Sequence, residues 1–286
     1  MTARVLVVDD VLPNVQLLEA RLTQEYFDVL TATSGEAALE LVKKEKPDVI
    51  LLDVMMPGMD GLEVCRRIKS DKKTAHVPIV LVTALDQPED KKAGLEAGAD
   101  DFLAKPVKEV ALYARVRSLA RLKVMMDELK NREVTSTMMG MPGLEDGLDD
   151  IADARVLLVC NKEDSVSEIS DILKDVGTIT VAPGNDETVE KARDGNFDVI
   201  LVDLDLGNTD GLRITSRIRS LQETRNVAIL VLTAAEDTYR IVKALDIGAN
   251  DYAPRPFDSL EVMARVKTQL KRKRFADRLR ENLHMS

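Results

Sequence analysis

The sequence has few of the residues that support several common classes of protein. It contains only two cysteines and two histidines among 286 residues. The two cysteines, Cys65 and Cys160, lie in separate halves of the chain, which excludes a disulfide scaffold and is typical of a reducing compartment. Two histidines and two cysteines also leave too few ligands for an ordinary protein zinc site. We therefore expect a cytoplasmic protein that depends on a hydrophobic core.

Long hydrophobic runs and a basic charge balance are also missing. The apolar runs fall well short of the roughly 20 residues that a membrane-spanning helix needs. The first strand-like run begins at Arg4, which leaves no room for a signal peptide. The 40 basic and 50 acidic residues give a net charge of -10, which argues against a nucleic-acid-binding surface. We expect neither membrane insertion nor nucleic acid as a partner.

The sequence contains an internal repeat. Val49–Val64 reads VILLDVMMPGMDGLEV and Val199–Ile214 reads VILVDLDLGNTDGLRI, so Asp203 follows Asp53 at an offset of 150 residues. The same offset relates Thr83 to Thr233, Phe102 to Tyr252 and Lys105 to Arg255. Agreement at this many ordered positions indicates two copies of one domain.

Each copy alternates short apolar runs with amphipathic stretches. In the first copy the runs are Val5–Val8, Val29–Ala32, Val49–Leu52, Ile79–Val82 and Asp101–Ala104. Runs that are apolar throughout indicate strands that are buried on both faces. Five β–α units predict an α/β fold with a five-stranded parallel sheet and helices on both of its faces. The ligand site of such a sheet lies beyond the carboxyl ends of the strands.

Polar residues follow the runs of the first copy at these strand ends. They are Asp9 and Asp10, Asp53, Thr83 and Lys105. Three neighbouring carboxylates repel one another and need a cation, and Mg²⁺ takes carboxylates, carbonyls and water as ligands. A carboxylate can act as a nucleophile towards a phosphoryl group, whose oxygens a hydroxyl and an ammonium can stabilise. A single aspartate after a strand is usually a turn former or a helix cap, but five matched positions favour a site.

Four motifs of the first copy resemble the receiver domain of two-component response regulators. They are VVDD at 7–10, LLDVMMPGMDG at 51–61, VTA at 82–84 and KP at 105–106. The resemblance implies a flavodoxin-like (βα)₅ fold. It also implies that Asp53 accepts a phosphoryl group from a histidine kinase or a phosphotransfer protein.

The same resemblance implies a role for each residue of the site. Asp10, Asp53 and the backbone carbonyl of Met55 would bind Mg²⁺, with Asp9 supporting them. Thr83 and Lys105 would contact the phosphoryl oxygens. Phe102 stands where the family keeps a switch aromatic, and the alternative for it is ordinary core packing.

The second copy departs from this pattern. Asp203, Thr233 and Tyr252 persist, whereas Cys160 and Asn161 replace the acidic pair and Arg255 replaces the lysine. A thiol and an amide cannot hold Mg²⁺ as two carboxylates would. We therefore expect a degenerate receiver that is not phosphorylated, in which Arg255 pairs with Asp203 and closes the site.

The last helix of each copy is expected to run beyond its domain. Leucines and a methionine keep helical spacing from Leu112 to about Arg132. The predicted divisions are a phosphoacceptor domain at 1–134, a linker at 135–153, a degenerate domain at 154–274 and a helical connector at 275–286. The whole arrangement resembles the PleD type of response regulator, in which a GGDEF diguanylate cyclase domain follows. No GGDEF-like loop occurs here, so we expect no enzyme activity from this chain by itself.

Three hypotheses of function follow. In the first, phosphorylation of Asp53 draws Thr83 inward and promotes a homodimer that controls an output such as cyclic di-GMP synthesis. In the second, the chain is a stand-alone phosphate shuttle or scaffold. The third is a phosphatase of the haloacid type, which needs a second aspartate two residues after the nucleophile. The first copy has Met55 there, and the second has Asp205 but lacks the acidic pair.

Overall fold

The computed structural model describes residues 3–84, 88–138, 153–207, 209–225, 227–234 and 237–284. The chain divides into two compact units, Met1–Asp127 and Glu128–Ser286. Each unit contains a five-stranded sheet whose strands are all parallel. The predicted α/β fold of two tandem flavodoxin-like (βα)₅ domains is therefore confirmed.

The first sheet has the strand order β2-β1-β3-β4-β5. Its elements are β1 Arg4–Val8, α1 Leu12–Gln24, β2 Asp28–Ala32, α2 Gly35–Glu45, β3 Val49–Asp53, α3 Gly61–Ser70, β4 Ile79–Thr83, α4 Pro88–Glu96, β5 Asp101–Ala104 and α5 Glu109–Met138. Every residue of β3 and β4 is buried, which requires cover on both faces of the sheet. The polar residues that end these strands therefore lie at one edge of a sheet that is buried on both faces.

The second sheet repeats this topology with the order β7-β6-β8-β9-β10. Its elements are β6 Ala154–Val159, α6 Glu163–Ile172, β7 Gly177–Ala182, α7 Asp186–Asp194, β8 Val199–Asp203, α8 Gly211–Ser220, β9 Ala228–Ala234, α9 Thr238–Asp246, β10 Asp251–Arg255 and α10 Ser259–His284. The middle strand β8 is again buried at every position. Asp203 thus ends β8 as Asp53 ends β3.

Several of the described helices begin at a residue whose side chain satisfies one of their first amide groups. The Ser34 side chain accepts a hydrogen bond from the Ala37 amide at the start of α2. Asp60 does the same for Glu63 at the start of α3. Such caps satisfy amides that have no partner within the helix.

A glycine at the start of α3 allows that helix to approach β3 closely. A Cβ atom on Gly61 would lie 2.0 Å from the carbonyl oxygen of Asp53. Gly211 has the same relation to Asp203, at 2.2 Å. In both units only a residue without a side chain fits beside the strand that ends in the aspartate.

The final helix of each unit is long. Helix α5 continues to Met138, somewhat beyond the predicted end near Arg132, and α10 continues to His284. Most of the predicted linker at 135–153 lies outside the described residues, because 139–152 are not among them. None of the described helices combines the length and the hydropathy that crossing a bilayer requires.

Candidate functional site

Three carboxylates converge at the carboxyl ends of β1 and β3. Asp9, Asp10 and Asp53 each offer one oxygen, and these oxygens lie within 4.8 Å of one another. The side chains of Asp9 and Asp53 are buried, whereas Asp10 is half-buried. The parallel strands bring these residues together because neighbouring strand ends lie at the same edge of the sheet.

An ammonium group contacts two of these carboxylates. Lys105 Nζ lies 2.8 Å from Asp9 Oδ2 and 2.9 Å from Asp53 Oδ2. Burial raises the pKa of Asp53, and this outweighs the lowering by the Lys105 contact. Burial lowers the pKa of Lys105, but the hydrogen bonds and charges of Asp9 and Asp53 outweigh it and the net shift is upward. Lys105 therefore stays charged.

The charges at this edge of the first sheet do not balance. Lys105 contacts two of the three carboxylates and is the one ammonium that does so among the described residues, so two negative charges remain when all are ionised. Oxygen ligands with an excess of about two negative charges match a small divalent cation such as Mg²⁺. The residues present therefore fit the predicted ion.

The other predicted residues of the first unit lie in or just beyond β3, β4 and β5. Thr83 ends β4 and is buried, and the side chain of Met55 is exposed just beyond β3. Phe102 is 3% exposed and belongs to the core cluster that includes Leu81. The structure thus shows the packing role of Phe102, and its role as a switch stays a prediction.

One polar residue at the site was missed at the sequence level. The Asn14 amide nitrogen donates to Asp9 Oδ1 at 3.1 Å and to Asp9 Oδ2 at 3.0 Å. Asn14 lies in the first turn of α1, where asparagine is a weak helix former. A polar amide five residues after Asp9, in a helix that begins beside the acidic pair, is the signal that could have identified it.

A cavity of about 460 Å³ lies beside Lys105, and Leu17, Leu18 and Val107 line it together with Asn14. Around this edge several large apolar side chains are exposed: Val11, Leu12, Leu17 and Met55. Apolar side chains grouped around an acidic site are typical of a surface that binds another protein.

In the second unit an arginine contacts the aspartate that corresponds to Asp53. Arg255 Nη2 lies 2.6 Å from Asp203 Oδ2, and Nη1 lies 3.2 Å from Oδ1. The side chain of Asp203 is 0% exposed. The guanidinium also stacks on the Phe257 ring at 4.9 Å. The structure therefore contains the pair of Arg255 with Asp203 that the sequence suggested.

The side chains of Asn161 and Cys160 form hydrogen bonds to other groups of the protein. The Asn161 amide donates to the Leu206 carbonyl at 2.7 Å, and Cys160 Sγ donates to Asp203 Oδ2 at 3.5 Å. Burial raises the pKa of the Cys160 thiol, which keeps it neutral. One carboxylate and one guanidinium leave no excess charge for a divalent cation, so these residues do not fit Mg²⁺.

The two other predicted residues of the second unit are placed as in the first. Thr233 lies in β9, is buried, and donates from Oγ1 to the Ala234 carbonyl at 3.3 Å. Tyr252 lies in β10 and is buried, with the Arg265 guanidinium 5.9 Å from its ring centroid. The second unit therefore keeps the positions of the site but not its charges.

Comparison with known proteins finds the same family twice along the chain. The profile of the family described as response regulator receiver domain matches residues 5–117 and 156–267. The protein named Response regulator PleD of Caulobacter vibrioides is 47% identical over the full chain, which covers 63% of that protein. Alkaline phosphatase synthesis transcriptional regulatory protein PhoP of Bacillus subtilis is 42% identical over 47% of the chain and 56% of its own length.

Solved structures match single units. The chemotaxis response regulator CheY4 of Vibrio cholerae is 32% identical with a TM-score of 0.40, and the match covers 42% of this chain and 99% of that chain. The chain spans less than two thirds of the length of the two curated relatives above.

Proposed function

The chain belongs to the response regulator receiver domain family, and we propose that its first unit accepts a phosphoryl group on Asp53. The observation that carries this proposal is the cluster of three carboxylates against one ammonium at the ends of β1 and β3. The donor is the phosphohistidine of a histidine kinase or of a phosphotransfer protein. The exposed apolar side chains around the site provide a surface on which such a protein docks.

In the proposed reaction a carboxylate oxygen of Asp53 forms a bond to phosphorus while the P–N bond of phosphohistidine breaks. The electron pair of that bond leaves with the imidazole. Lys105, which contacts Asp53, would contact a phosphoryl oxygen, and the Thr83 hydroxyl would donate to another. Asp10, Asp53 and the Met55 carbonyl, supported by Asp9, would hold Mg²⁺, whose charge offsets that of the phosphoryl oxygens.

We propose that the second unit is a degenerate receiver that serves as an adaptor. Its aspartate is buried and both of its oxygens contact Arg255. An attacking oxygen would first have to lose that partner and remain buried without compensation, which is costly. The proposed domains keep the predicted divisions at 1–134, 154–274 and 275–286, with the linker between the first two.

The proposed output is a homodimer that forms when Asp53 is phosphorylated. Moving a two-state equilibrium from 1:99 to 99:1 takes about 5.5 kcal/mol of differential interaction. A phosphoryl group adds about -1.5 to -2 charge and several charge-assisted hydrogen bonds of about 1.5–3 kcal/mol each, which is sufficient. In a longer protein of the PleD type, such a dimer would bring two diguanylate cyclase domains together.

Two measurements test this proposal on the full chain. Intact-mass spectrometry after incubation with acetyl phosphate and Mg²⁺ should show one added phosphoryl group in wild type and in Asp203→Asn, and none in Asp53→Asn. Light scattering with beryllofluoride, a phosphoryl mimic, should show a doubled mass in wild type and in Asp203→Asn only. Incorporation that survives in Asp53→Asn would refute the assignment of the acceptor. Phosphoryl incorporation in wild type without a doubled mass in light scattering would refute the dimer and favour the phosphate shuttle.

A further inference from the structure

The Asp9 carboxylate accepts hydrogen bonds on both of its oxygens. Its Oδ1 accepts from the Val11 amide at 2.9 Å and from Asn14 Nδ2 at 3.1 Å. Its Oδ2 accepts from Asn14 Nδ2 at 3.0 Å and from Lys105 Nζ at 2.8 Å. The Asn14 amide is the side chain that contacts both oxygens, so it fixes the plane of the carboxylate.

The orientation of the Asn14 amide follows from electrostatics. If the amide were flipped, its oxygen would stand about 3 Å from two carboxylate oxygens, which repel it. The nitrogen therefore faces Asp9 and donates. Asn14 is neutral, so it holds the carboxylate without cancelling the negative charge that a divalent cation needs.

The position of Asn14 in α1 has no competing local explanation. The N-cap of α1 is Val11, whose side chain forms no capping hydrogen bond, and asparagine is a poorer helix former than alanine or leucine. Asn14 also lines the cavity beside Lys105. Asn14 is therefore directed at the acidic cluster and forms no cap for its own helix.

The second unit gives an independent comparison at the same position. The offset of 151 that relates Asp9 to Cys160 also relates Asn14 to Ser165. There the acid is gone, and the Ser165 hydroxyl accepts a hydrogen bond of 3.3 Å from Arg255 Nη2. The same turn of the first helix thus contacts a charged group of the site in both units: the Asn14 amide donates to the Asp9 carboxylate, and the Ser165 hydroxyl accepts from the Arg255 guanidinium.

We propose that Asn14 is a positioning residue that acts on the cation through Asp9. By fixing the Asp9 carboxylate, Asn14 holds Asp9 Oδ2 in contact with Lys105, which also contacts Asp53. This role rests on the proposed function, because it concerns the geometry in which Asp9 supports Mg²⁺. Loss of a side chain that orients a metal-binding group commonly weakens metal affinity by 10–100-fold.

The test is a Mg²⁺ titration of the full chain, monitored by NMR through the amide resonances of the residues after β3. Asn14→Leu removes the donor, keeps the branching and the number of side-chain heavy atoms, and improves helix propensity, and Gln16→Leu is the matched change at an exposed position of the same helix. We expect about tenfold weaker Mg²⁺ binding for Asn14→Leu and wild-type binding for Gln16→Leu. Asn14→Ala provides a second variant with the same expected loss.

A second readout separates positioning from damage to the fold. The Mg²⁺ concentration that gives half of the maximal rate of phosphorylation by acetyl phosphate should rise about tenfold in Asn14→Leu. The rate at saturating Mg²⁺ should stay within about twofold of wild type. Mg²⁺ affinity within twofold of wild type in Asn14→Leu and Asn14→Ala would overturn the role of Asn14. A wild-type protein that does not bind Mg²⁺ would instead overturn the proposed function, and the role with it.

Discussion

Replacement of Arg255 by methionine should strongly destabilise the second unit. Methionine keeps much of the arginine stem and removes the guanidinium, which contacts both oxygens of Asp203 at 2.6 and 3.2 Å. The Cys160 thiol and the Asp205 amide would remain near the carboxylate. They donate hydrogen bonds but carry no compensating charge.

The expected loss follows from burial. Removal of one partner of a buried ion pair costs about 3–5 kcal/mol because a charge is left without compensation. The Asp203 side chain is 0% exposed, but that of Arg255 is 24% exposed, so water can partly enter the space it leaves. We therefore expect the lower end of the range, about 3 kcal/mol, which lowers the thermal transition by about 10 °C in a unit of this size.

Scanning calorimetry of the full chain measures this change, and two further variants make it decisive. Arg255→Met combined with Asp203→Asn removes both charges and keeps an oxygen for the Asp205 amide, so most of the stability should return. Arg213→Met makes the same substitution at an exposed position of α8 and should change the free energy of unfolding by no more than about 0.5 kcal/mol. A loss below about 1 kcal/mol in Arg255→Met, or no recovery in the double variant, would refute the reasoning.

Three further results are expected. Gly61→Ala should cost more than about 2 kcal/mol in chemical unfolding and slow phosphorylation, because its Cβ would lie 2.0 Å from the Asp53 carbonyl; wild-type values for both would contradict this. Burial raises the pKa of the Cys65 thiol to about 12, so the thiol stays protonated at pH 8. Since burial also raises the pKa of Cys160, Ellman's reagent should label neither cysteine until urea is added, and rapid labelling of the native chain would count against this burial. Mg²⁺ at a hundred times its dissociation constant should stabilise the first unit by about 2.7 kcal/mol in calorimetry, and an equal gain in Asp10→Asn would exclude the proposed ligands.

Much of the fold could be predicted from the sequence because its signals are local or periodic. The five apolar runs of the first copy correspond to β1 to β5 within about one residue at each end. A run that is apolar throughout can be stable only where both faces are covered, which leads directly to a parallel sheet with helices on both sides. The ends of the long helices were less predictable, since no glycine or proline stops α5 before Met138.

Part of the candidate site could also be predicted from the sequence, and part could not. The acids and the lysine could be placed together because parallel strands of equal register end at one edge of the sheet, whatever the side-chain conformations are. The contacts of Asn14 with Asp9 could not be predicted, since they depend on how α1 leaves β1 and on the rotamer of one amide. Asn161 is similar, because its bond to the Leu206 carbonyl depends on the path of the loop after β8.

The sequence by itself determined that there are two copies of one α/β domain, that Asp53 and Asp203 end equivalent strands, and that the acidic pair is present in one copy only. These properties follow from residue type and spacing along the chain. The tertiary structure alone decided how these charges meet: the ammonium lies 2.8 and 2.9 Å from two of the three carboxylates in the first unit, and in the second unit the guanidinium contacts both oxygens of one carboxylate. Charge balance at a site depends on distances of about 3 Å between residues that are tens of positions apart, and only the packing of the folded chain sets those distances.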